Sequence, residues 1–372
     1  MAAGHPDGEK SEESEVKKLC LFLFSCILLT GCRWLPQPRE MGDMALIRCV
    51  GVDPAGEEVS LTMSTGPQAE GTKGGEKPAL CLSSVGKSLS GAAQDAQVQS
   101  EKSLFFGYVD QLLLGEKQVE EIAPVLHWLS GDRELSLGVH LWVIQGDTAK
   151  AAVESGGESG VDARLANLRV EGMVGMAPIS RTAREIAIAL EELDCAYAPA
   201  LQLEEEKLIP QGYAVLTQQG LAGYLEGEAA RGLELLAQRP MAELLELELP
   251  ENRVTVRVSR SKLDCKGIFG GDGLERLELN CQVQVEVVQQ DRALSIEERE
   301  QLTQQIRGEI ERRVEAAVKQ LQDWGTDCVA LRSRLALAEP WYEPCRTQKW
   351  EEVFARTQIT VSGEVTLGIE RS

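Results

Sequence analysis

Histidine is scarce: the chain has only His5, His127 and His140, and no two of them stand at helical ligand spacing. A zinc hydrolase or a histidine-based triad is therefore a poor first reading. Basic residues are outnumbered, with 38 Lys and Arg against 59 Asp and Glu, for a formal net charge of −21. A phosphate backbone needs clustered cations, so nucleic acid is excluded as a partner. The same deficit opposes charge-driven docking on anionic lipid, and any membrane attachment must come from something apolar. The P-loop, GxGxxG before a helix, GxSxG and HExxH are all missing, and so is any CxxC pair. That removes the common phosphate, dinucleotide, esterase, metalloprotease and zinc-ribbon readings.

What is present is an ordinary globular composition, 43% hydrophobic and 26% charged over 372 residues, enough for two or three domains. The most informative stretch is the first. Residues 19–30, LCLFLFSCILLT, follow Lys17 and Lys18 and end at Leu29-Thr30-Gly31-Cys32. The run is too short for a spanning helix, which needs ~20 residues, and fits a signal-peptide core. The tetrad matches a bacterial lipoprotein signal, in which the Cys32 sulfur takes a diacylglycerol before cleavage; Cys32 is the predicted lipidation site. Asp7, Glu9, Glu12, Glu13 and Glu15 do not suit the positive region that opens a signal. A downstream translation start near Val16 is the corresponding expectation, checked by intact mass of the unprocessed precursor.

Of ten cysteines, Cys20 and Cys26 leave with the signal and Cys32 is lipidated, so an odd seven remain at irregular spacing. That supports no tidy disulfide framework. Cys265 with Cys281 and Cys328 with Cys345 are candidate pairs; the others read as small core residues.

Along the rest of the chain, 32–43 reads as a tether. The alternating runs 44–53 and 57–65 around Pro54-Ala55-Gly56 predict a hairpin, and 66–78 a loop. Residues 88–103 predict an amphipathic helix with Ala92, Ala93, Ala96 and Val98 inward. The segments 105–115, 117–129 and 137–146 predict strand, helix and strand, hence a parallel pair with a right-handed crossover. His127 and His140 fall inside these elements and read as packed or surface residues. A helix is expected over 180–193 with Ser180 as N-cap, a hairpin over 208–225, and a short helix over 227–238. Residues 243–260 and 275–289 predict antiparallel strands with one wet face.

Ser295 and Glu298 fit a capping box. Leu302, Ile306, Ile310, Val314, Val318 and Leu321 then make one apolar stripe along a helix of ~27 residues, whose other face is Glu, Arg and Gln. A solvated face over a sheet is the expectation there, with partner docking as the alternative. Trp341, Trp350 and Phe354 read as core staples beside a last strand at 358–369, a ligand shelf being the other option. Gly270-Gly271-Asp272-Gly273 reads as a β-turn, and Glu204-Glu205-Glu206 and Glu297-Glu298 as solvated faces rather than calcium ligands. No catalytic, cofactor-binding or metal residue is assigned.

Taken in order, these segments resemble the Ger(x)C family of spore germination lipoproteins. The residues that carry the resemblance are Cys32, Arg39-Glu40-Met41, Val50-Gly51-Val52-Asp53, Phe106-Gly107-Tyr108, Leu113-Leu114-Gly115-Glu116 and Gly131-Asp132-Arg133-Glu134. They continue with Gln211-Gly212-Tyr213-Ala214-Val215, Leu221 to Leu225, Asp327 to Leu331, Pro340-Trp341 and Trp350 to Phe354. Tyr108 stands where the family usually has His, Gly131 replaces an Arg, and Leu216 a Phe. The resemblance implies a three-part α+β fold of the GerAC type, with mixed sheets flanked by helices and one long helix in the C-terminal domain. The expected division is signal 1–31, tether 32–43, an N-terminal α/β domain at 44–175, a middle domain at 176–245 and a C-terminal α+β domain at 246–372. It also implies a non-enzymatic, lipid-anchored C subunit of a nutrient germinant receptor, without cofactor, on the outer face of the inner spore membrane. Its partners would be a multi-spanning A subunit and a transporter-like B subunit. The alternative is a solute-binding lipoprotein of a transporter, which would need two similar βαβ lobes and an aromatic cleft; only one βαβ unit is visible and aromatics are 5%.

Overall fold

Residues 111–115 (QLLLG) and 140–145 (HLWVIQ) carry no polar–apolar alternation, the pattern of strands covered on both faces. In the computed structural model they are the middle of a nine-stranded sheet. The structure describes residues 43–70, 75–175, 177–239, 243–270, 273–340 and 349–368. Residues from Ala45 onward form one unit.

The strands of the large sheet are β1 (Cys49–Ala55), β2 (Glu58–Ser64), β3 (Cys81–Gly86), β4 (Gln111–Gly115), β5 (His140–Gln145), β6 (Cys195–Glu204), β7 (Lys207–Thr217) and β8 (Gly220–Leu225), with Arg181–Thr182 paired beside β5. Their spatial order is β8-β7-β6-β5-β4-β1-β2-β3. The four central strands are parallel, β1 with β4, β4 with β5 and β5 with β6; the hairpins at either side are antiparallel. Strands from 44–175 and from 176–245 thus lie in the same sheet.

Helices cover both faces. One face holds α1 (Leu89–Gln99), α2 (Ile122–Gly131) and, later in the chain, α5 (Ala183–Leu193), with Ala92, Val125, Leu129 and Ile186 packed on Val50, Leu112, Leu114 and Leu141. The other holds α3 (Ala149–Glu154) and α4 (Asp162–Met173), with Val153, Leu165 and Leu168 on Leu113, Trp142 and Ile144.

After α6 (Gly227–Leu236) comes a four-stranded sheet in the order β9 (Leu244–Leu249), β10 (Asn252–Gly270), β11 (Gly273–Gln290) and β12 (Gln358–Leu367). Between β11 and β12 run α7 (Ile296–Trp324), α8 (Leu331–Ala338) and α9 (Trp350–Arg356). The expected stripe from Leu302 to Leu321 is buried, and Ser295 and Glu298 cap α7 reciprocally: the Glu298 N–H donates to the Ser295 hydroxyl (3.2 Å) and the Ser295 N–H to the Glu298 carboxylate (2.9 Å). Its outer face stays polar while its stripe joins the core of the small sheet with Tyr213 and Val215 of β7. Gly232 makes the α6–α7 crossing close: any side chain there would strike the backbone carbonyl of Arg313. The α+β architecture of mixed sheets, flanking helices and one long helix is thus present.

Local expectations differ in several places. Helix α1 stops at Gln99, and Val98 points to solvent at 81% exposure, because Leu89, Ala92 and Ala96, with Ala93 beside them, make up its inner face. The cap of α5 is Thr182, boxed with Glu185, while the Ser180 hydroxyl instead meets His140 Nδ1 at 2.8 Å. Short strands Gln68–Glu70 and Gly75–Lys77 pair within the expected loop. Cys265 and Cys281 are free thiols: their cross-strand partners are Leu279 and Leu263, so the two sulfurs sit on a diagonal rather than face to face. Cys328 is free as well, and Cys345 lies outside the described residues. So do the signal at 1–31, Cys32, all of the tether but Asp43, and Gly271, Asp272, Trp341 and Pro344.

Candidate functional site

The sequence singled out short polar motifs, and the structure places several of the described ones at joints. Near the end of β1 stands Asp53, whose buried carboxylate accepts the first amides of α3: Ala149 N–H to Oδ1 and Lys150 N–H to Oδ2, both at 2.8 Å. A helix start leaves such amides without partners, and a carboxylate there also meets the positive end of the helix dipole. Burial pushes the Asp53 carboxyl above its ordinary range while those two amides pull it back down. On the neighbouring strand Gly115 has no side chain because one would collide with Asp53 Oδ1. Next to it, Glu116 accepts from the Gly146 N–H (2.7 Å) and the Tyr224 hydroxyl (2.9 Å), tying the end of β4 to the β5–α3 turn and to β8.

The other motifs behave alike. Glu134 accepts the Phe106 N–H (3.0 Å), and Asp132 the Glu134 N–H (2.8 Å). The Tyr213 hydroxyl accepts from the Ile179 N–H (2.7 Å) and donates to the buried Glu234 (2.8 Å). Asp327, beyond the end of α7, accepts from the Leu331 and Arg332 amides at 2.8 Å and from the Trp350 indole at 2.9 Å. Burial pushes its carboxyl up to about 6, and the three donors only partly offset that. Trp350 stacks on Phe354 with ring centroids 6.0 Å apart; Phe354 is buried as a staple, while Trp350 also lines a cavity. The motif residues are therefore dispersed over separate joints and do not converge on one centre.

Little nucleophilic or ligating chemistry is poised among the described residues. Burial pushes the thiols of Cys195, Cys265 and Cys281 up to about 12, so they stay protonated at neutral pH. No three His, Cys, Asp or Glu side chains of the described residues gather as a metal site. Helix N-caps and turns account for the carboxylates nearest the strand ends.

A cavity of about 1070 Å³ lies at the carboxyl end of β1 and β4. Val59, Leu89, Val125 and Trp128 form its apolar floor, and its rim carries Glu57, Glu58, Glu120, Glu121 and Asp132 against Lys87 and Lys117. The Trp128 indole N–H is buried there without a hydrogen-bond partner. His127 lines this groove, and His140 sits near the opposite end of its strand, lowered by burial and by Arg169. A second cavity of about 690 Å³ lies beside Asp194, Cys195, Thr326 and Asp327. Sequence reading missed both, since each joins segments far apart in the chain. Cys32, the one site residue predicted, lies outside the described residues. None of the described helices is long and apolar enough to cross a membrane, which says nothing about strands.

Two family models match consecutive parts of the chain: "Spore germination protein N-terminal domain" over residues 37–199 and "Spore germination B3/GerAC like, C-terminal" over 211–371. No curated protein sequence matches. Among solved structures the chain is similar to one described as the crystal structure of the GerBC protein, at 16% identity and a TM-score of 0.57, covering 85% of this chain and 96% of that one. At that identity the likeness speaks for the fold.

Proposed function

The chain belongs to the spore germination GerAC, or Ger(x)C, family, and from that premise we propose that it is the C subunit of a nutrient germinant receptor. The observation that carries this reading is the pair of family matches, which run in family order over 37–199 and 211–371. In this reading Cys32, five residues before the first match, is acylated and holds the protein on the outer face of the inner spore membrane. Two acyl chains suffice for stable anchoring, at ~0.8 kcal/mol per buried CH₂, where one holds only marginally.

The protein acts there without catalysing a reaction. Its motif carboxylates are engaged as helix caps and turn acceptors, which supports a role in presenting surface to partners. Those partners are a multi-spanning A subunit and a transporter-like B subunit, and the task is receptor assembly and signalling during germination. Confinement to one membrane plane raises the effective concentration of all three, so weak interfaces suffice. The division at 44–175, 176–245 and 246–372 enters as a proposal about sequence organisation; the sheet shared by the first two parts opposes their unfolding separately.

The test is in situ crosslinking and pull-down of the tagged protein from spore inner membranes, read by mass spectrometry. Recovery of an A-type and a B-type membrane protein is the expected result. Recovery of a transporter permease with its ATPase would replace this reading with that of a solute-binding lipoprotein.

A further inference from the structure

Among the large apolar side chains left exposed in the described residues, three stand together on one helix, and an ion pair ties that helix to the segment that carries a fourth. Val170 and Met173 on α4 and Val174 just after it are 56%, 72% and 51% exposed, and their spacing of three and four puts them on one side of the helix. Arg169, one residue earlier, reaches the Asp110 carboxylate at 4.0 Å, and two residues before Asp110 stands Tyr108, 49% exposed. Asp110 immediately precedes β4, so the group sits at the amino end of the parallel strands. The acid-rimmed groove lies at their carboxyl end.

The chain enters its folded unit at that same amino end. The Ile47 N–H donates to the Phe105 carbonyl (3.0 Å), and the Asp110 and Gln111 amides donate to the Arg48 carbonyl (3.1 and 3.2 Å). Between Cys32 and Ala45 run thirteen residue steps, about 45 Å even at full extension. An anchor at Cys32 therefore keeps this end of the sheet nearer the membrane than any other part is obliged to be. The charges beside it pair off, Arg169 with Asp110 and Arg164 with Glu171, although the whole chain carries −21. An apolar group with an amphipathic tyrosine and locally balanced charge suits the boundary between headgroups and acyl chains.

We infer that the amino end of the large sheet, through Tyr108, Val170, Met173 and Val174, is the face that this protein lays on the lipid bilayer. The inference rests on the lipid-anchored reading above and goes further, because it fixes which end of the fold faces the membrane and which faces outward. A polar-facing tether with the domain standing clear of the lipid would satisfy the anchor without it.

The experiment uses the acylated protein in phosphatidylcholine–phosphatidylglycerol vesicles, with the exposed Cys81 replaced (Cys81→Ser) and a polarity-sensitive fluorophore at Met173→Cys or Val174→Cys. Labels at Val98→Cys and Leu337→Cys, 81% and 84% exposed in the parent, are the controls. The expected result is a blue-shifted emission at 173 and 174 that lipid-borne nitroxides quench, and neither effect at 98 or 337. Val170→Glu combined with Met173→Glu, both at solvent-facing positions, should abolish the shift at 174 while the protein stays on the vesicles. Emission at 173 and 174 like that of the controls, on protein still bound to vesicles, overturns the inference. Protein found free in solution sinks the acyl anchor instead. The same labels read on the chain held through an amino-terminal hexahistidine tag at residue 33 on nickel-chelating lipid then decide the surface by themselves.

Discussion

Gly115 and Asp53 face each other across adjacent parallel strands so closely that a side chain on the first would occupy the carboxylate of the second. Two motifs that look independent in the sequence, Val50-Gly51-Val52-Asp53 and Leu113-Leu114-Gly115-Glu116, are therefore one device. One supplies the acceptor that starts α3, and the other supplies the space for it.

That coupling sets the first prediction. Gly115→Ala should destabilise the protein by about 1–3 kcal/mol, as overpacking of a tight site does. Asp53→Ala should cost a similar amount or more, because it leaves two amides without acceptors. The double variant should cost clearly less than the sum, since removing the Asp53 carboxylate makes room for the new methyl group. Urea unfolding midpoints of the four proteins test this, and strictly additive losses would show that the two residues do not share the space.

Asp327 gives a pH dependence of unusual sign for a carboxylate with three donors. Its folded value, about 6, lies above the roughly 3.9 of a free aspartate, so the fold favours the protonated form. The penalty for the buried charge is absent below pH 4, grows through the window from 4 to 6 and is complete above it. Stability should thus fall across that window by an amount on the order of 3 kcal/mol from this group. Asp327→Asn removes the charge, so its unfolding free energy should lack this component of the slope. It should also start lower, because its amide nitrogen would face either the Leu331 N–H or both the Arg332 N–H and the Trp350 indole. Denaturant titrations at several pH values on both proteins check it; parallel curves would count against a raised value for Asp327.

The long helix was legible in the sequence because its determinants are local. Ser295, Glu298 and the stripe from Leu302 to Leu321 lie within one segment, and each residue ends where the periodicity puts it. The βαβ unit was legible for the same reason. Val98 was misplaced because an apolar residue near the end of a helix looks inward by periodicity alone, whereas the buried contacts of α1 end at Ala96. Ser180 and Thr182 are equally good caps on paper; tertiary pairing of Arg181–Thr182 with β5 decides between them. The groove at the strand ends was not legible at all, since Val59, Leu89 and Trp128 meet only after three separate segments pack. The roles of Asp53 and Asp327 were hidden likewise: resemblance marked the residues, but only the fold shows that they hold helix starts.

Ser295→Ala should cost about 1 kcal/mol, the usual loss when an N-cap hydroxyl is removed. The effect should show as a lower urea midpoint with an unchanged slope, because the apolar stripe still packs and the surface exposed on unfolding stays the same. Ser295→Asp should restore most of the loss, since its carboxylate can accept the same N3 amide and also suits the positive end of the helix. If Ala and Asp variants are equally destabilised, the hydroxyl acts through something other than the cap.

Cys32→Ala should separate attachment from folding. All described core clusters lie at or after Ala45, so the variant should keep the circular dichroism and urea midpoint of the parent. Its acyl acceptor is gone, and among the described residues no helix can take over by spanning the membrane. It should therefore leave the membrane fraction, and spores carrying it should lose the crosslinks to the A and B subunits, because the gain in effective concentration disappears with the anchor. Persistence of Cys32→Ala in the membrane pellet after a carbonate wash would mean that another contact holds the protein. Release by carbonate, with retention before it, would mean that the apolar end of the sheet or a partner subunit binds on its own, and vesicles without protein partners would tell those two apart.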